Sequence, residues 1–301
     1  MQESRRGTLF GAGAYLLWGL FPLYWPLLRP ASAVEVLAHR VLWSLLVVAV
    51  LLRLTRRTAA VRVVLRDRRT VARLAAAAVV VAVNWGTYIY GVTSGHVVET
   101  SLGYFVNPIV TVLLGVVVLG ERLRTLQWTA VGAATVAVVV LTVQNGKPPW
   151  IALVLAFSFG CYGLLKKQAG VGAIEGLTVE TAVLAPVAAL YLGVLGARGG
   201  ATFAGHGPGH AALLAGAGLV TAVPLLLFGA AATRVPLYTL GVLQYLAPTI
   251  QFLLGVTLFH EPLPLLRILG FVLVWAGLAV FTADLLTERR RASRLAVPVP
   301  A

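Results

Sequence analysis

Long apolar runs separated by short polar breaks recur from one end of the 301-residue chain to the other. Runs of about 18 to 25 residues with few charges match a bilayer crossed by an α-helix. A barrel strand would instead show short segments of strict alternation. Ten runs are predicted as transmembrane helices, near residues 7–27, 33–53, 71–91, 101–119, 125–143, 150–167, 175–196, 210–231, 237–259 and 265–286. The pattern predicts an all-α integral membrane protein. Composition agrees: with 59% hydrophobic and 11% charged residues, the chain cannot cover a soluble surface. The first run, inside "MQESRRGTLFGAGAYLLWGLFPLYW", has a basic head like a signal peptide. It lacks a small-residue cleavage site and ends in Trp and Tyr, so it is expected to be a retained span.

Charge then orients the spans. The net charge of +14 could suggest nucleic-acid binding, but the basic residues sit at the ends of apolar runs. Of 24 Lys and Arg, only Arg29, Lys147, Arg198 and Arg267 fall on one face, and Arg40 lies inside a run. The rest gather on the other face, above all in the segment holding Arg53, Arg56, Arg57, Arg62, Arg66, Arg68, Arg69 and Arg73. The positive-inside rule makes that face cytoplasmic and, with ten spans, puts both termini there. A cytoplasmic-membrane location follows, with anionic headgroups rather than nucleic acid beside the Arg residues. Residues 287–301 lack apolar periodicity and are predicted to be a disordered cytoplasmic tail. The segment "GARGGATFAGHGPGH" is predicted as a flexible outer loop, and its His206 and His210 are read as solvated rather than metal-binding. The single Cys161 supports neither a disulfide nor a metal cluster, and no cofactor is expected.

The two halves of the chain are similar to each other. "NPIVTVLLGVVVLGERL" matches "APTIQFLLGVTLFHEPL", pairing Pro108 with Pro248, Gly115 with Gly255 and Glu121 with Glu261, each 140 residues apart. The same offset brings Glu35 onto Glu175 and Ala82-Val83 onto Ala222-Val223. Two five-span halves are therefore predicted, 1–146 and 147–286. Five is odd, so the second half enters the membrane from the opposite side, the inverted-repeat plan of many secondary transporters.

A transport path would gather polar side chains on particular helices. Thr100, Tyr104, Asn107 and Thr111 fall at i, i+4, i+7 and i+11 on one face of the fourth span. At the repeat offset Tyr104 maps onto Gln244 and Thr111 onto Gln251, while Asn107 maps onto Ala247. Pro108 and Pro248 are expected to loosen the backbone nearby. The third span adds Asn84, Trp85 and Tyr88, and the first adds Tyr15 and Trp18. Such residues can line a path for an organic, partly apolar substrate, or can simply join helices by hydrogen bonds. Trp25 and Trp150 stand at span ends and read as interface anchors.

The stretch "SAVEVLAHRVLWS" concentrates charge at the head of the second span. Ser32 and Glu35 fit a capping box, and His39 lies on the same face as Glu35. Arg40 falls on the order of 11 Å into the helix at 1.5 Å per residue. There it must be paired, snorkel outward or face a path, where it would attract an anionic or carboxylate-bearing group. Its repeat counterpart is Glu180. Glu35, His39, Arg40 and Glu180 are candidates for coupling or gating, with His39 the natural proton carrier.

"GAYLLWGLFPLYW", "SAVEVLAHRVLWS", "NWGTYIYGV", "ETSLGYFVNP" and "GERLRTLQWTAVG" resemble the RarD branch of the EamA-type transporters, in the drug/metabolite transporter superfamily. The second half agrees through "GVLQYLAPTIQFLLGVTLFHEPL". The resemblance implies ten helices in two inverted halves around a central cavity lined by helices one, three, four, six, eight and nine. Helix two would sit nearer the periphery, which favours a gating or structural pair for Arg40. The branch is named for chloramphenicol sensitivity, which defines no physiological substrate.

An intramembrane enzyme is not expected. The only Asp residues are Asp67 and Asp284, and no HExxH or phosphate-binding glycine loop occurs. The sequence therefore predicts a secondary transporter for a small organic metabolite or drug-like compound, with proton coupling as an option. A channel or non-transporting scaffold is the alternative.

Overall fold

Backbone amides in a bilayer have no water to bond, so an apolar run must bond within itself. The computed structural model of the chain describes residues 2–119, 125–146, 148–232, 234 and 243–295. Among them the regular structure is helical and no strand occurs. The long helices are α1 (Gln2–Gly19), α3 (Ala33–Leu54), α5 (Arg68–Thr93), α6 (Val97–Leu119) and α7 (Thr125–Asn145), then α8 (Trp150–Ala169), α9 (Ala173–Ala197), α10 (Gly207–Ala232), α11 (Leu246–Thr257) and α12 (Leu265–Leu295). Segments of α3, α5, α6, α9, α10 and α12 are each long and apolar enough to cross a membrane. Shorter apolar stretches lie in α7 and α8 and form α11. The first part of the predicted ninth span, and Glu121 of the repeat motif, fall outside the described residues.

Local chemistry explains several helix ends. Ser32 caps α3, its hydroxyl accepting from the Glu35 N–H at 3.2 Å. Asp67 caps α5 through the Arg69 N–H at 3.0 Å. Gly170 ends α8 in the left-handed region at φ 64°, where a side chain would be strained.

Two expectations change, and one segment gains a helix. The predicted first span is broken: α1 stops at Gly19 and is followed by a short α2 (Phe21–Tyr24) and a 3-10 turn (Trp25–Leu28). Pro22 and Pro26 each sit in the opening turn of these pieces, where a missing N–H costs nothing, whereas inside one continuous helix each would remove a bond. The arginine-rich segment after α3 contains α4 (Thr58–Arg66), which buries none of its residues. Finally, α12 runs through Leu295, so the expected disordered tail is helical up to that residue. Glu, Arg, Ala and Leu are good helix formers, and Arg near a C-terminus suits the helix dipole.

The prolines at the repeat offset also differ in setting. Pro108 lies inside α6, while Pro248 occupies the first turn of α11.

Helices pack in a defined set of pairs: α1 with α10 and α11, α5 with α8 and α9, α6 with α8 and α11, α3 with α9 and α10, and α7 with α12. Glycine permits two of the tightest approaches. A Cβ on Gly218 of α10 would lie 2.5 Å from the Trp43 carbonyl carbon of α3. One on Gly103 of α6 would lie 2.8 Å from the Ala152 carbonyl oxygen of α8. Large apolar side chains such as Val187, Leu190 and Leu265 face outward, as a lipid-solvated surface requires.

Candidate functional site

The centre of the site is a buried amide. Asn84 of α5 is fully buried, and its Nδ2 donates to the Leu155 carbonyl at 3.0 Å and to the Ser158 hydroxyl at 2.9 Å, both on α8. Its oxygen accepts from the Tyr104 hydroxyl of α6 at 3.2 Å. One side chain thus fastens three helices. Tyr104 and Tyr88 meet edge to face with ring centroids 5.6 Å apart, and the buried Tyr88 hydroxyl has no hydrogen-bond partner.

Arg40 enters this cluster from α3. It is only 3% exposed, and its guanidinium carbon lies 4.0 Å from the Trp85 ring centroid, 5.2 Å from Trp25 and 5.7 Å from Phe21. Nε and one terminal nitrogen are buried without a hydrogen-bond partner. The Tyr88 and Tyr104 hydroxyls lie within its electrostatic range. Among the described residues no carboxylate forms an ion pair with it. An uncompensated buried cation costs several kcal/mol. Cation–π contact returns about 2 kcal/mol in a desolvated setting, so the rings offset only part of the cost.

Of the settings open to Arg40, its burial excludes an outward snorkel, and among the described residues no acid pairs with it. Trp25 is not an interface anchor; it is fully buried, because the breaks at Pro22 and Pro26 turn the end of the first span toward the core. Trp150, by contrast, is 45% exposed and meets the Tyr90 ring at a tilt of 41°.

A second aromatic group adjoins the first. Tyr15 and Trp18 of α1 form a trio with Phe228 of α10, with centroids 5.3 to 6.1 Å apart. Gln251 of α11 is 2% exposed and donates to the Trp18 carbonyl at 3.1 Å, leaving its own oxygen without a partner. Trp18, Tyr88 and Tyr104 pack in one apolar cluster, which brings the two groups together. Farther along α6, the Thr111 hydroxyl donates to Asn107 at 3.4 Å, beside Gly160 of α8. Gln244 lies in the turn before α11, within hydrogen-bonding reach of the Tyr245 hydroxyl, and does not join the cluster. Thr100 turns its buried hydroxyl back onto the Val97 carbonyl.

The remaining acids are tied elsewhere. Glu35 is 1% exposed and accepts from the Thr202 N–H at 2.7 Å and the Thr202 hydroxyl at 3.0 Å. Only the Ser32 half of the expected capping box forms, because the carboxylate is used across the molecule. His39 stacks on Phe203 at 4.9 Å and its buried Nε2 lacks a partner, so no direct bond joins it to Glu35. Thr202 also meets His210 Nε2 at 2.9 Å, so this glycine-rich segment has a fixed attachment. Glu180 pairs with Lys166 at 2.7 Å and accepts from the Tyr162 hydroxyl at 3.1 Å.

Ser158, Phe21, Thr202, Phe203, Tyr162 and Lys166 carried no site signal in the sequence. Ser158 and Phe21 are single residues in apolar runs, and Lys166 had counted only toward orientation. Chemically the cluster offers one cation, free hydrogen-bonding groups and ring faces, which is the chemistry of binding.

Comparison with known proteins agrees with this setting. Residues 5–143 match the EamA-like transporter family. The chain is 57% identical over 99% of its length to "Protein RarD" of Streptomyces exfoliatus, covering 95% of that protein. It is 42% identical to "Uncharacterized transporter YojE" of Bacillus subtilis (strain 168), over 93% of this chain and 94% of that one. With "Protein RarD" of Escherichia coli (strain K12) it shares 41% identity over 97% of this chain and 99% of that one. A solved structure titled "Crystal structure of protein" is similar in fold at a TM-score of 0.59 and 20% identity, with 94% of this chain and 98% of the other covered. The chain belongs to the EamA-like transporter family as a RarD-type member, and it is a multi-pass membrane transporter.

Proposed function

We propose that the protein moves a small organic compound across the cytoplasmic membrane by alternating access between two inverted five-helix halves, residues 1–146 and 147–286, with both termini cytoplasmic. One observation carries this reading. Exchange α1 with α8, α3 with α9, α5 with α10, α6 with α11 and α7 with α12. The pair α1–α10 then becomes α8–α5, α6–α8 becomes α11–α1, and α3–α10 becomes α9–α5. The pairs α3–α9, α6–α11 and α7–α12 map onto themselves. These main packing pairs survive a swap of the halves, which is what a two-fold axis between them would produce, and such halves can rock about a central site.

Two glutamates follow the same exchange. Glu35, near the start of α3, reaches Thr202 in the segment after α9. Glu175, near the start of α9, meets Arg57 at 3.3 Å in the segment after α3. Substrate-binding residues on this reading are Tyr15, Trp18, Trp85, Tyr88, Tyr104, Asn107, Thr111 and Gln251, with the Asn84 amide holding their frame and Gln244 outside the cluster. His39, buried beside Glu35 with an unpartnered nitrogen, is the candidate proton carrier, and Glu180 with Lys166 is a candidate gate.

The test is uptake and counterflow in sealed, pH-clamped proteoliposomes, screening amino acids, related metabolites and chloramphenicol with and without a proton gradient. Saturable uptake accelerated by trapped unlabelled solute supports a carrier. Flux without counterflow would replace it with a channel, and no flux in folded protein with a scaffold. Gradient-driven uptake lost in His39→Ala supports coupling; indifference to the gradient removes it.

A further inference from the structure

Resting on the transporter reading, we infer that Arg40 is the charge-selecting group of the transport site and that the substrate is a small organic anion, a carboxylate on an aromatic body. Three features of the cluster combine. The guanidinium is buried with no acid among the described residues to neutralise it, and two of its nitrogens have no acceptor. The rings of Trp85, Trp25 and Phe21 surround it at 4.0 to 5.7 Å, so it is held by faces that leave its N–H groups uncommitted. Tyr88, one helical turn beyond Asn84 on α5, carries a buried hydroxyl that also lacks a partner.

The unmade bonds are complementary to one ligand type. Planar guanidinium N–H groups match a carboxylate, a phenol O–H adds a further donor, and all of them require an acceptor. A cationic ligand would meet uncompensated like charge. A neutral one could accept a hydrogen bond but would leave the charge uncompensated. Trp18, Tyr88 and Tyr104 share one packed cluster and offer ring faces for an apolar body. The Asn84 amide, by contrast, is committed to Leu155, Ser158 and Tyr104 and holds the frame.

The experiment uses full-length protein in phosphatidylcholine nanodiscs and three ligands of one shape: phenylacetate, phenylacetamide and 2-phenylethylamine. Binding is read by tryptophan fluorescence and calorimetry. Phenylacetate is expected to bind saturably and at least tenfold more tightly than the other two, as charge-assisted bonds worth about ten- to hundredfold require. Arg40→Gln should reduce phenylacetate to the level of the amide, with Arg40→Lys keeping part of the preference. If Arg40→Gln does not fold, Tyr88→Phe provides the second reading: it should weaken phenylacetate severalfold and leave the amide unchanged.

Equal binding of the three ligands, no binding of phenylacetate, or charge preference surviving in Arg40→Gln would overturn the inference. Counterflow of benzenesulfonate, which does not cross lipid as a neutral acid, separates the two ideas. Charge-selective binding without counterflow of any solute leaves the anion site standing and removes the carrier. Counterflow of neutral solutes without anion binding does the reverse.

Discussion

The Glu35 carboxylate accepts two hydrogen bonds from Thr202, one from its N–H at 2.7 Å and one from its hydroxyl at 3.0 Å, across 167 residues of sequence. Glu35 stands near the start of α3 and Thr202 in the segment between α9 and α10, so this contact ties together segments far apart in the chain. Thr202→Val keeps the side-chain volume and removes the hydroxyl donor from a buried carboxylate. It is expected to cost about 1 to 3 kcal/mol, seen as a lower unfolding temperature in detergent. An unchanged transition would mean that this contact does not stabilise the fold.

Asn84 supports a second prediction. Replacing it with Leu removes two donors and one acceptor, leaving the Tyr104 and Ser158 hydroxyls without it. Hydrogen bonds between membrane helices are worth about 0.6 to 2 kcal/mol each, so a loss of about 2 kcal/mol is expected. Ser158→Ala should cost less, since it removes a single one of Asn84's bonds. Chemical unfolding in mixed micelles would compare the two; equal or negligible losses would contradict the placement of Asn84 as the hub.

Close helix contact makes Gly218→Ala informative. The new methyl would meet the backbone of Trp43 at 2.5 Å, and backbone cannot move aside cheaply. The expected cost is about 1 to 3 kcal/mol. Gly193→Ala on α9, where the new methyl meets nothing within 4 Å, should be neutral or stabilising through better helix propensity. Thermal unfolding of both variants in one detergent tests the contrast.

Asp67 gives a pH dependence outside the membrane. The Thr70 hydroxyl at 2.6 Å, then the Arg69 N–H, favour its charged form and hold its carboxyl below the usual carboxylate value. A depressed native pKa means that the unfolded state binds the proton first. The stabilisation is therefore complete above the ordinary value of about 3.9 and is lost as pH falls through the lower native one. Hydrogen exchange of the first turn of α5 should accelerate over that window relative to its own higher-pH baseline. Asp67→Asn should remove the change; a variant with the same acid response would assign it to another group.

Much of the fold could be read from the chain. Apolar runs became helices because lipid leaves the backbone no other partner, and Ser32 was recognisable as a cap from its spacing to Glu35. The depth of Arg40 was also legible, since it follows from rise per residue alone. Its surroundings were not. Trp25 looked like an interfacial residue until the breaks at Pro22 and Pro26 turned it inward. Thr202 and Phe203, in a segment rich in glycine, carried no periodic signal, yet they engage Glu35 and His39.

The division follows from the range of the forces involved. The sequence by itself determined the helices and their membrane setting, because hydropathy and capping are written in consecutive residues. Only the tertiary structure decided that Arg40 meets no acid among the described residues, that Glu180 takes Lys166 and that Asn84 joins three helices. Those outcomes depend on how helices far apart in sequence rotate about their axes when they pack, and a rotation of one residue, about 100°, exchanges lipid for a partner.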